Sequence, residues 1–204
     1  SEYTQELSAT TLSVSTASST LGSTEVYRSS TTLNKRQALP VTMSEDGDIQ
    51  SISIYHNGGG DGSHLLLGIY SDLAGAPSQL LRATPVTAIN PTEGWQAVNL
   101  TIPVKVNSGE TIWLAWVFEN NPGIRFKAGT PGRAISSAGW IGGMPESYGA
   151  STQYNYTYSI YCSYSGFAPS QPSELAIPSV TYYDVSLSWI DNSDNETGFE
   201  IQRS

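Results

Sequence analysis

An all-β sandwich is the fold class this sequence predicts, and three observations predict it. Short apolar runs recur at strand-like spacing, 19 Gly and 11 Pro among 204 residues separate them with turn chemistry, and no stretch sustains a 3.6-residue period. The composition agrees: 12 Tyr, 5 Trp and abundant Ser and Thr favour strands, while only 13% of residues are charged and long Glu/Lys/Ala-rich segments are missing. The length suits one large β domain, or one medium domain plus part of another.

The first stretch, residues 1–23, is dominated by Ser and Thr and reads as an arm or linker. Leu12 and Val14 alternate with Ser13 and Ser15, the pattern of a half-buried strand that lies on a sheet edge. Residues 24–165 carry the sandwich. In "GDIQSISIYH" Ile52 and Ile54 share one face and Ser51 and Ser53 the other, and "NGGGDGSH" reads as a hairpin loop leading to the strand "SHLLLGIYSD", which "LAGAPSQ" ends. "GWQAVNLTIPVKVNSGETIWLAWVFEN" reads as three strands with "NSGE" as a turn. Trp113 and Trp116, three apart, then face opposite ways, one toward the core and one under a loop. The region closes with "STQYNYTYSIYCSY", whose Tyr154, Tyr156, Tyr158, Ile160, Cys162 and Tyr164 line one face, either as an exposed ladder or as an inner row that is buried at the Ile160 and Cys162 end. A hinge at 166–174, built on Pro169 and Pro172, precedes a last segment, 175–204, in which Val185, Leu187 and Trp189 share a face and Phe199 and Ile201 repeat the pattern.

The formal charge of −9 and the pI near 4.5 exclude an electrostatic nucleic-acid binder or a partner of anionic membrane surfaces. A neutral partner such as a glycan is compatible. No apolar run approaches the roughly 18 residues of a membrane span. Cys162 is the only cysteine, so neither an intrachain disulfide nor a thiolate cluster can form, and its position among tyrosines reads as a small buried hydrophobe. The sequence begins at Ser1, so a secreted origin implies a mature or excised segment.

Two resemblances follow from particular blocks. The "P..P..L" opening at Pro169, Pro172 and Leu175, the strand "VSLSWIDNS" with Trp189, and "ETGFEIQRS" resemble the start of a fibronectin type III domain. A complete sandwich of that type has seven strands and about 100 residues, so the resemblance, which covers residues 169–204, reaches only its beginning. Three strands leave Val185, Leu187, Trp189 and Phe199 without an opposing sheet, which implies either a cut sequence or completion by another chain's arm. More loosely, "LLLGIYSDLAGAPSQLL", "GWQAVNLTIPVKVNSGETIWLAW" and "YSIYCSY" resemble jelly-roll-like sandwiches of bacterial secreted and surface proteins. That resemblance implies an extracellular accessory or adhesive module.

Catalytic chemistry finds no pattern to stand on. There is no GxSxG, and "NGGGDG" lacks the Lys-Ser/Thr of a phosphate loop. His56 and His64 bracket the glycine-rich segment with Asp61 and either converge on a metal or sit as ordinary loop histidines. Glu93, Glu110, Glu119 and Glu146 lie near turns without a pairing that would nominate a glycosidase. A structural calcium would suit Glu45, Asp46 and Asp48 of "SEDGD", or Asp191, Asp194 and Glu196 of "DNSDNE", although both stretches are also ordinary turns.

Glycan binding needs aromatic faces on a rigid support with amides or carboxylates beside them. The candidate stretch is "SSAGWIGGMPESYGASTQYNY", where Trp140 and Tyr148 would stack and Glu146, Gln153 and Asn155 would hydrogen-bond; the alternative is an aromatic loop folded over the end of the sandwich. Asn99, Asn155 and Asn195 sit in N-x-Thr sequons. The sequence therefore points to a non-catalytic extracellular module that binds a glycan or another surface component. The rival expectation is a filament subunit whose Ser/Thr-rich arm completes a sheet on the next copy.

Overall fold

Alternating side chains become strands wherever one face can be covered, and in a computed structural model of the chain nearly every described segment meets that condition. The structure describes residues 7–11, 18–59, 62–167, 170–193 and 198–203. They fall into two units, Ser18–Ser165 on one hand and Ser1–Ala17 with Gly166–Ser204 on the other.

The larger unit is an antiparallel β-sandwich. One layer contains β2 (Ser19–Gly22), β5 (Gly47–His56), β9 (Gly94–Val106) and β13 (Ile160–Gly166); the other contains β4 (Gln37–Thr42), β6 (His64–Leu73), β7 (Ala76–Ala83) and β10 (Thr111–Phe118). The short β8 (Thr87–Ala88) pairs with β6, and β3 (Ser29–Thr31) with β11 (Ile124–Ser136). β11 ties the layers together, meeting β5 at Ile124↔His56 and β4 at Ala134↔Ala38 and Ile135↔Gln37. Its other partner is β12 (Ser151–Tyr158).

Between the layers lies one large apolar core. Ile49, Ile52 and Ile54 of β5, Val98 and Val106 of β9, and Ile160 and Cys162 of β13 face Leu65, Leu67 and Ile69 of β6 and Ile112, Leu114, Trp116 and Phe118 of β10. Burial on both faces explains why β10 is so continuously apolar. Trp116 enters the main core, whereas Trp113 turns the other way into a second cluster with Tyr70, Ala115 and Tyr148, and its indole Nε1 donates to Asp72 Oδ1 at 2.7 Å. The opposite orientation of the two indoles is as the three-residue spacing requires.

Three local expectations are corrected. β5 and β6 do not form a hairpin across "NGGGDGSH", because β5 pairs with β9 while β6 pairs with β7 and β10 of the other layer. The tight hairpin lies instead at Ala74 and Gly75, both at positive φ (53° and 78°), between β6 and β7. The stretch from Gly94 to Phe118 forms two strands rather than three, since β9 continues through its register shift opposite Ile49 and Ser51. The sandwich also begins inside the expected arm, at Ser19.

In the smaller unit β14 (Ser173–Val180) pairs with β15 (Val185–Ile190), and β1 (Leu7–Thr11) pairs antiparallel with β16 (Phe199–Arg203) from Leu7↔Arg203 to Thr11↔Phe199. The arm does contain a strand, but at Leu7–Thr11; the expected Leu12 and Val14 lie outside the described residues. β15 and β16, consecutive in sequence, belong to separate sheets, and the half-buried Trp189 ring rests 5.2 Å from that of Phe199. Among the described residues no helix is long and apolar enough to cross a membrane.

Candidate functional site

The hairpin from β11 to β12 carries the candidate stretch. Residues 137–150 bridge its strands, and their backbone is pinned from below by Arg36, which is 3% exposed. The Arg36 guanidinium donates through Nη1 to the Gly143 carbonyl at 3.0 Å, and through Nη2 to the Tyr148 carbonyl at 2.9 Å and to Ser136 Oγ at 3.2 Å. Tyr70 Oη donates to the Pro145 carbonyl at 2.8 Å, and the Leu80 and Tyr148 amides bond across to the Glu146 and Ser78 carbonyls. A loop held at so many carbonyls is a rigid surface.

Tyr148 is not at that surface. Its ring is 1% exposed, stands edge-on to Tyr70 with centroids 5.0 Å apart, lies under the Arg36 guanidinium at 4.9 Å, and donates its hydroxyl to the Arg36 carbonyl at 3.2 Å. Burial pushes its phenol far above the ordinary range, with Arg36 opposing. The ligand role expected for Tyr148 is therefore replaced by a packing role: it fills the second core over the outer face of β10. Trp140, in the short 3-10 turn Trp140–Gly142, is half-buried, and Ile141 beside it is fully exposed. Glu146, Gln153 and Asn155 are exposed, and Gln153 Nε2 donates to the Gly75 carbonyl.

The tyrosine row, which runs from β12 into β13, is graded along its length. Tyr154 is 48% and Tyr156 37% exposed, whereas Tyr158 is 2% exposed and Ile160 and Cys162 are wholly buried. Both readings of the row thus hold, each for a different end. Underneath sits Arg133, opposite Tyr154 in the β11–β12 register, just past the irregularity between Ala128 and Arg133. Its Cζ lies 5.1, 5.6 and 5.8 Å from the ring centroids of Tyr154, Tyr156 and Tyr158, and its Nε donates to Tyr158 Oη at 2.8 Å. Neither Arg133 nor Arg36 stood out in the sequence. The signal that could have found Arg133 is a lone cation in "GRAIS" facing "QYNYTY" across a hairpin.

The remaining candidates are dispersed. His56 is buried, with Nε2 2.8 Å from Gln96 Oε1 and Nδ1 accepting the Gly58 amide at 3.0 Å, while His64 Nδ1 lies 2.8 Å from Glu119 Oε2. The two histidines do not converge, and Asp61 lies outside the described residues. Glu45 accepts from Tyr164 Oη at 2.8 Å and Asp46 from the Ser108 amide at 2.7 Å; with Asp48 they do not form a group able to hold a metal, and among the described residues no such group exists. Asp194 and Glu196 fall outside the described residues. Glu93 pairs with Arg125 and Tyr55, and Glu110 accepts from Asn107 at the turn before β10. A half-open cleft of about 440 Å³, lined by Leu21, Tyr27, Leu39, Val41, Lys127 and Pro131 among others, opens where β11 bulges and holds none of the expected site residues.

No family model and no curated protein matches this chain. Among solved structures it is similar to a chain in the structure of infectious bursal disease virus Gx strain, at 12% identity and a TM-score of 0.28, over 79% of this chain and 33% of that one.

Proposed function

We propose that this chain is a non-catalytic, extracellular binding module of a bacterial secreted or surface protein, and that its ligand is a glycan or another surface component. The observation that supports this most directly is the row of Tyr154 and Tyr156, half-exposed on a strand whose next aromatic is locked in the core. Their rings are held against one cation, so little side-chain entropy is left to lose on stacking. Trp140 on the pinned loop, with Glu146, Gln153 and Asn155, extends the face. Against catalysis, Glu93, Glu110 and Glu119 are each committed to a separate local partner. The smaller unit fits the beginning of a fibronectin type III domain, with β14 and β15 in one sheet and β16 in another.

The test is retention on immobilised polysaccharides. Trp140→Ala, or Tyr154→Ala with Tyr156→Ala, is expected to abolish retention with the melting temperature nearly unchanged. Undiminished retention of both variants would remove this face from the ligand site. A second reading, a filament subunit built by strand exchange, is favoured by one observation, the pairing of β1 with a strand at the far end of the sequence.

A further inference from the structure

Three cations project from β11, and two of them have carboxylate partners. Arg125 pairs with Glu93, and Lys127 Nζ lies 3.0 Å from Glu25 Oε2. Arg133 is the most buried of the three, at 7% exposure, and among the described residues it has no carboxylate partner. Among the described residues its guanidinium donates to a neutral hydroxyl, Tyr158 Oη, and its Nη1 is buried without a hydrogen-bond partner. A guanidinium keeps its charge at any physiological pH, and charges removed from water are ordinarily paired. Aromatic faces compensate part of that cost. Of the three rings around Arg133, Tyr158 closes the core side, and the half-exposed Tyr154 and Tyr156 are the two a ligand can reach.

We propose, building on the glycan reading above, that the bound sugar carries an acid, whose carboxylate or sulfate pairs with Arg133 while the sugar face stacks on Tyr154 and Tyr156. A guanidinium N–H donates to either group in a charge-assisted hydrogen bond, stronger than one to a neutral acceptor. The chain's net charge of −9 adds a restriction. A densely charged polyanion is repelled at long range, so the recognised acid is an isolated one among neutral sugars.

The experiment measures binding of the whole chain to matched pairs: partly against fully methyl-esterified polygalacturonate, and sparsely sulfated against unmodified dextran. The first pair reads carboxylate recognition, the second sulfate. The wild type is expected to favour the acidic member of at least one pair by roughly 10- to 100-fold, a preference that Arg133→Gln removes and Arg133→Lys keeps in part. Should Arg133→Gln fail to fold, the wild-type comparison within each pair decides alone. Equal binding of acidic and neutral members, still lost in Tyr154→Ala, overturns this inference and leaves the glycan reading standing. Failure to bind any of the four polymers overturns the inference, and the glycan reading falls with it if the chain is not retained on immobilised neutral polysaccharides either.

Discussion

At the scale of single residues, His56 shows how a titratable side chain is spent on structure. Its imidazole is wholly buried, and since Nδ1 accepts the Gly58 amide, Nε2 carries the proton and donates to Gln96 Oε1. Gln96 closes the arrangement, accepting from the Asn90 amide and donating to the Ala88 carbonyl. Gly58 fits only as glycine: its φ is +88°, and a Cβ would stand 2.6 Å from the Pro91 carbonyl oxygen. Burial holds the His56 pKa below its ordinary 6.5, with the Gln96 hydrogen bond opposing. The unfolded ring therefore binds a proton more readily than the folded one. Its contribution to stability is full above 6.5 and is lost as the pH falls from there through the folded value. The melting temperature is expected to drop between about pH 7 and pH 5, and His56→Gln, less stable at neutral pH, should show a flatter profile across that interval. Parallel profiles for the two proteins would mean that His56 does not titrate in this range.

At the scale of elements, the loop 137–150 exists because β10 is apolar on both faces, and one layer of the sandwich covers only one of them. The loop supplies the second cover through Tyr148 and Met144, and Arg36 fastens it. Arg36→Met keeps the apolar stem and leaves the Gly143 and Tyr148 carbonyls unpartnered. The expected cost is about 2–4 kcal/mol, from charge-assisted hydrogen bonds worth roughly 1.5–3 kcal/mol each. Hydrogen exchange should rise first within 137–150 and at Trp113, before the main core is affected. Uniform loss of protection across the sandwich would show that the loop and core open as one unit. This element also marks the limit of what the sequence makes legible. Strands such as β5, β10 and β13 announce themselves by alternation, and Trp113 and Trp116 by their spacing. β4 does not, because Pro40 interrupts "QALPVT". The proline is tolerated for a reason that only the fold supplies: the Arg36 amide points toward Ala138 and that of Met43 toward Glu110, so by alternation the Pro40 nitrogen faces the side where β11 pairs only with Gln37 and Ala38. Likewise Tyr148 and Tyr154 look alike in a Gly-rich, aromatic stretch. What separates them is cover from β6, β10 and Arg36, which are distant in sequence.

At the scale of the whole molecule, the arm connects the two competing functions to one measurable pairing. β1 and β16 meet along five paired positions, Leu7↔Arg203 to Thr11↔Phe199, and their sheet has no third strand among the described residues. A two-stranded sheet is marginal alone, so β16 should depend on its partner. Deleting residues 1–11 spares β2 and the sandwich, whereas a longer deletion to residue 20 would cut into β2 at Ser19. In the shortened chain the amides of Phe199–Arg203 are expected to exchange fast, while the melting of the sandwich changes by no more than about 0.5 kcal/mol. Continued protection of β16 would mean that β1 is not what holds it. The same sample separates the functional readings. If the strand is exchanged between copies, the full chain associates in a concentration-dependent way and the deletion leaves monomers. If the chain is a binding module, both forms sediment as monomers and both retain polysaccharide through Trp140, Tyr154 and Tyr156, because none of those side chains belongs to the unit that the deletion alters.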